Sequence, residues 1–107
     1  MIMNCIYKKP GLSPHKVQIK NELEKLQEIV EGNFETVHIA DGIILICNEE
    51  GKLNGMQPNI FLPMYRDVVY GPVLIVGENE AGDDFDSLSE KDLNLVYQLI
   101  GSWTPER

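Results

Sequence analysis

The sequence predicts an α+β fold: a mixed, mainly antiparallel sheet of four to five strands, with two helices packed mostly on one face. Three observations carry this. Short apolar runs recur between turn residues, either alternating with polar residues or continuous and rich in Ile and Val, which is how strands read. Two segments have helical spacing of apolar residues together with start and stop signals. The runs at 35–40 and 43–47 are separated only by Asp41-Gly42, a two-residue turn whose twist suits an antiparallel hairpin.

Residues 2–7 form the first expected strand. Pro10-Gly11 and Ser13-Pro14 then mark a loop over 8–14, and 15–19 return as a short second strand. Asn21 stands as a helix N-cap with Glu24 three residues later, the spacing of a capping box. Leu23, Leu26 and Val30 make the apolar stripe, and Gly32 ends the helix. In 35–40, Val37 and Ile39 alternate with Thr36 and His38, so the first pair should face the core. Ile43 to Cys47 and Val73 to Val76 are apolar at every position. Both should therefore be central strands that need cover on each face.

Between them, 53–71 holds Pro58, Pro63 and Gly55 among apolar residues. The prolines argue against a regular helix or a central strand, so this stretch reads as a functional loop or a cover for the core. The second helix starts at Ser89, with Asp92 in the capping-box position and Leu88 and Leu93 placed as a hydrophobic staple. It turns Leu93, Val96, Leu99 and Ile100 inward and is expected to break near Gly101. Two short helices cover one face of such a sheet. The other face then needs the 53–71 segment or a second copy, which makes a homodimer the expectation.

At 107 residues the chain is a single domain, 1–107, able to bury a core without metal or disulfide support. Its net charge of -8 is uneven, with -2 over residues 1–77 and -6 over 78–107. A phosphate backbone attracts Lys and Arg, so an acidic domain with no basic stripe is a poor direct partner for nucleic acid and a better one for a basic protein. Cys5 and Cys47 both lie in apolar strand-like runs and read as buried free thiols. No apolar run approaches the length of a membrane span, and the first residues are too short for a signal-peptide core, so a cytoplasmic location is expected.

No catalytic or metal-binding spacing is present. Glu49 and Glu50 are neighbours on an extended chain and point apart, whereas acid/base chemistry needs two carboxyls converging on one bond. Glu78, Glu80, Asp83, Asp84 and Asp86 are dense enough to suggest a calcium loop. Leu88, however, stands where a further ligand belongs, so a solvated acidic loop is the plainer reading. His15 and His38 share no ligand spacing with each other or with the cysteines. Trp103, beyond the second helix, reads as a core or oligomer anchor.

What stands out is the polar series after the apolar hairpin: Asn48, Glu49, Glu50, Lys52, Asn54 and Asn59, with Arg66 the only arginine before the C-terminus. Groups at the ends of buried strands are held on a rigid base and can be aimed at a partner. These seven residues are the candidate binding site. The plain reading of the same stretch is a solvated connection.

Several segments, in order, resemble the family catalogued as domain of unknown function 3846. They are Leu26-Gln27 with Val30 and Gly32, the Asp41-Gly42 turn, Asn48-Glu49-Glu50-Gly51-Lys52-Leu53, Pro58-Asn59, Gly71 with Val73 to Val76, and Phe85 with Leu88. The resemblance covers about Val17 to Asp92 and leaves out 64–70 and 101–107. It implies an accessory protein of bacteria, phages or mobile elements, and its motif falls on Asn48, Glu49, Glu50, Gly51, Lys52 and Asn59. The resemblance carries no activity with it; the acidic final third, the polar hairpin tip and the absence of catalytic or metal spacing make the expected function a non-catalytic binding or modulating protein, without cofactor, that occupies a host protein. The alternative is a small-ligand or nucleotide-sequestering module with a pocket near residues 48–66, where Lys52, Arg66 and the asparagines converge.

Overall fold

The computed structural model describes residues 1–105. The elements in chain order are β1 (Ile2–Lys8), β2 (His15–Lys20), α1 (Leu23–Val30), β3 (Phe34–Ala40), β4 (Ile43–Asn48), β5 (Pro58–Leu62), β6 (Asp67–Tyr70), β7 (Val73–Glu78), β8 (Phe85–Asp86) and α2 (Glu90–Trp103). The main sheet runs β2-β1-β7-β4-β3, with β8 added to β7, and β5 and β6 form a separate hairpin. Every pairing among the described residues is antiparallel. The α+β class and the antiparallel sheet are as the sequence predicts.

The strands with two apolar faces are central, as expected: β4 and β7 are neighbours and buried along nearly their whole length. Their alternating side chains build two cores. Ile6, Ile39, Ile43, Leu45, Cys47, Val73 and Ile75 form one with Leu88, Val96 and Ile100, and with Ile60 and Leu62 of the β5–β6 hairpin. Met3, Cys5, Ile44, Ile46, Leu74 and Val76 form the other with Leu26 and Val30 of α1.

The two helices therefore lie on opposite faces, which corrects the expectation of a single helical face. The chain leaves one edge of the sheet at β2 and must re-enter at the other edge as β3, and α1 makes that crossing over one face. The opposite face is left for α2 and the hairpin. The 53–71 segment is thus partly regular, with Pro58 at a strand start and Pro63 in the hairpin turn, and part of it covers the core. With both faces covered from within the chain, the ground on which a second copy was expected disappears.

Helix ends differ in detail. Asn21 does not cap α1: its Nδ2 donates to Asp84 Oδ1 (3.1 Å) and Phe85 O (3.2 Å), and the helix starts after Glu22 without a side-chain cap. Ser89 does cap α2, its Oγ accepting from Asp92 N–H at 3.1 Å. That helix runs through Gly101 to Trp103, whose ring packs on the first core, and Thr104 closes it by donating from both N and Oγ1 to Ile100 O.

Cys5 and Cys47 belong to different cores on opposite sides of the sheet, so this fold cannot join them. Burial pushes each thiol up to about 12, with the Glu35 charge and hydrogen bond adding to the effect at Cys47. Neither is a thiolate at neutral pH.

Candidate functional site

The seven candidate residues separate into two groups. Asn48 and Asn59 are buried, and their amides are used inside the fold. Asn48 Nδ2 donates to Val30 O (3.0 Å) at the end of α1, and its Oδ1 accepts from Glu50 N–H (2.8 Å). Asn59 Nδ2 donates to Lys8 O (2.9 Å) and Gly71 O (2.8 Å), while its Oδ1 accepts from Lys8 Nζ at 2.6 Å. One side chain thus ties the hairpin to β1 and to the start of β7. Glu49, Glu50, Lys52, Asn54 and Arg66 are exposed.

Gly51 explains why the turn after β4 can lie so close to the hairpin. A Cβ there would stand 2.6 Å from Tyr70 O, so only glycine lets the two backbones meet. Lys52 then sits 6.0 Å from the centre of the Tyr70 ring, a cation over an aromatic face.

This contact closes one end of a groove of about 600 Å³. Its walls are residues 35–38 of β3 and 67–70 of β6. Its base includes Cys47 and Leu62, and its ends carry Glu49, Lys52 and Tyr65. Of the predicted residues, Asn48, Glu49 and Lys52 line it. Glu50, Asn54, Asn59 and Arg66 do not, so the convergence of Arg66 and Lys52 with the asparagines is not found. The groove instead holds Glu35, Glu49 and Asp67 against a single lysine.

Glu35, Asp67, Tyr65 and the strand edges were missed from the sequence. Their significance comes from β3 ending the sheet and β6 lying beside it, and no local pattern announces either fact. Tyr65 Oη donates to His38 O at 2.6 Å, fixing the hairpin turn to the edge of β3.

Other features keep their plain readings. The acidic 78–86 loop is organised by Asn79, whose Oδ1 accepts from the N–H groups of Asp83 and Asp84 and whose Nδ2 donates to Asp83 Oδ1. Among the described residues, no three His, Cys, Asp or Glu side chains are grouped to hold a metal ion, and no helix is long and apolar enough to cross a membrane. His15 and His38 are both exposed and lie on the two opposite edge strands, β2 and β3.

The family model described as Domain of unknown function (DUF3846) matches residues 3–101. The chain belongs to this family. The match extends beyond the 17–92 stretch on which the resemblance rests and takes in the whole β5–β6 hairpin and nearly all of α2. Within this DUF3846 chain, the motif at 48–59 combines two duties: Asn48, Gly51 and Asn59 hold backbone together, and Glu49, Glu50 and Lys52 face solvent. No curated protein and no solved structure matches the chain.

Proposed function

We propose that the protein is a non-catalytic binding module that occupies a basic partner protein, a host protein if the chain serves a phage or mobile element. Its contact site is the groove between β3 and the β5–β6 hairpin. The observation that carries this reading is the composition of that groove. An apolar base of Val37, Cys47, Leu62 and Val69 is rimmed by Glu35, Glu49 and Asp67. Apolar area supplies affinity, and a rim of one sign selects the partner and speeds its approach.

The same charge weighs against the nucleotide alternative, because three carboxylates would face its phosphates and only Lys52 would attract them. His15 and His38 lie on opposite edges, and the Cys47 thiol, although hydrogen-bonded to Glu35, holds its proton up to about 12, which gives no support to a thiolate nucleophile.

Capture from a bacterial lysate at low salt tests the proposal. Wild-type protein is expected to retain a basic partner that the double variant Glu35→Lys, Asp67→Lys does not. Equal recovery by the two proteins, or nothing above background with either, counts against it.

A further inference from the structure

The groove is bounded in a way that identifies how its occupant is held. Consecutive residues 35, 36, 37 and 38 line one wall, and 67, 68, 69 and 70 line the other. A strand that presents a face shows every second residue. Consecutive residues line a wall where the strand's backbone edge, and not only one side-chain face, borders the groove. Among the described residues neither edge is taken by a further strand: β3 pairs only with β4, and β6 only with β5.

The pairing register shows which groups of β3 are offered. Glu49 N–H donates to Asn33 O, which makes that pair a hydrogen-bonded one. By alternation along the ladder, Glu35–Cys47 and Val37–Leu45 are hydrogen-bonded pairs as well. The backbone groups of Phe34, Thr36 and His38 therefore point away from β4. The Tyr65 hydroxyl reaching His38 O from that side agrees with this. On the opposite wall, Val68 N–H is held at 2.9 Å by the side chain of Asp67, its own neighbour.

We propose that an extended segment of the partner, bearing Lys or Arg, adds as a strand to the free edge of β3. Its backbone pairs with Thr36 and its neighbours. Its apolar side chains rest on Val37, Cys47, Leu62 and Val69, and its cations meet Glu35, Glu49 and Asp67. This rests on the docking function above and adds the mode and the chemistry of the occupant. Main-chain pairing supplies affinity in such complexes and the flanking side chains supply selectivity. The other end of the sheet is a weaker candidate, since β2 carries Lys16 and Lys20 on its strand and lysines on an edge discourage pairing.

The probe is a capped eight-residue peptide with threonine at every second position and lysine and valine taking turns at the others, so that both meet the face of β3 that carries Glu35 and Val37; it is measured by fluorescence anisotropy. Two versions are methylated on the backbone nitrogens of either the threonines or the lysines and valines, and a control carries glutamate in place of lysine. The unmethylated lysine peptide is expected to bind wild-type protein saturably. At least one methylated version should lose about tenfold or more, because its donors to β3 are gone. Thr36→Pro should lose binding similarly while keeping the far-ultraviolet dichroism of the wild type. The N–H it removes is one that β4 does not use, and proline is tolerated on such an edge.

If the parent and both methylated peptides bind alike, strand addition is wrong and side-chain docking in the groove survives. Binding of the glutamate peptide at equal strength overturns the charge argument. Failure of the lysine peptide to bind at about 1 mM in low salt overturns the strand mode, and the charge-reversal capture then judges docking on its own. A wild-type dimer that Thr36→Pro converts to monomer would assign the edge to a second copy, which also overturns the proposal.

Discussion

Replacing Asn59 by Ala separates a structural role from a binding role at one of the most conspicuous polar residues of the chain. The side chain is 1% exposed and makes three hydrogen bonds, two donated to Lys8 O and Gly71 O and one accepted from Lys8 Nζ. Leaving a buried polar group without its partner costs roughly 1–3 kcal/mol. The three losses share one site that water can enter and Lys8 Nζ also donates to Lys9 O, so the total falls near the low end of the sum, at about 3 kcal/mol. At about 2.1 cal/mol/K of unfolding entropy per residue, a chain of this size loses a little over 4 °C of Tm for each kcal/mol, hence about 13 °C. The assay is urea unfolding followed by circular dichroism, with a thermal scan beside it. Asn54→Ala is the control, because Asn54 is exposed and its loss should stay within about 0.5 kcal/mol. If Asn59→Ala were as stable as Asn54→Ala, the internal ties described here would be wrong and Asn59 would return to the binding surface.

Asn48→Ala removes the bonds to Val30 O and from Glu50 N–H and should cost about 2 kcal/mol in the same unfolding assay, with an unchanged denaturant slope. Gly51→Ala forces its Cβ against Tyr70 O and should cost roughly 1–3 kcal/mol, while weakening peptide binding in the groove that this contact closes. The thiols add a pH dependence whose sign follows from their burial. In the folded chain Cys5 and Cys47 hold their protons to about 12, whereas the unfolded thiols ionise near 9.0, so stability is full below that value and declines as pH rises from it toward 12. The double variant Cys5→Ala, Cys47→Ala should flatten that part of the profile; an unchanged decline would place its cause elsewhere. In the native protein both thiols should also resist a maleimide that labels them fully in denaturant.

Much of the fold is legible because its signals are local. Asp41-Gly42 specifies a hairpin by its own backbone preferences, with Gly42 at a φ of 72°, and Ser89 caps α2 from within one turn. The unbroken apolar runs at 43–47 and 73–76 show that two faces need cover. They do not say which helix covers which face, because that depends on β2 and β3 lying at opposite ends of the sheet. The site was harder to read for a related reason. Asn48 and Asn59 look like surface residues in sequence, yet a buried amide that satisfies backbone carbonyls is as stable as one in water. Asn21 looked like a cap and instead serves the 84–85 backbone and side chain across the sheet. The groove itself arises where two strand edges meet, and edge position is a property of topology, which no run of residues encodes by itself.

The docking claim is tested most directly by amide hydrogen exchange of the isotope-labelled protein with and without the lysine-valine peptide. The N–H groups of Thr36 and His38 face away from β4, and strand addition predicts that their exchange slows by about tenfold or more at saturation while the 79–86 loop is unaffected. Protection confined to that acidic loop or to α2, with Thr36 and His38 unchanged, would contradict it.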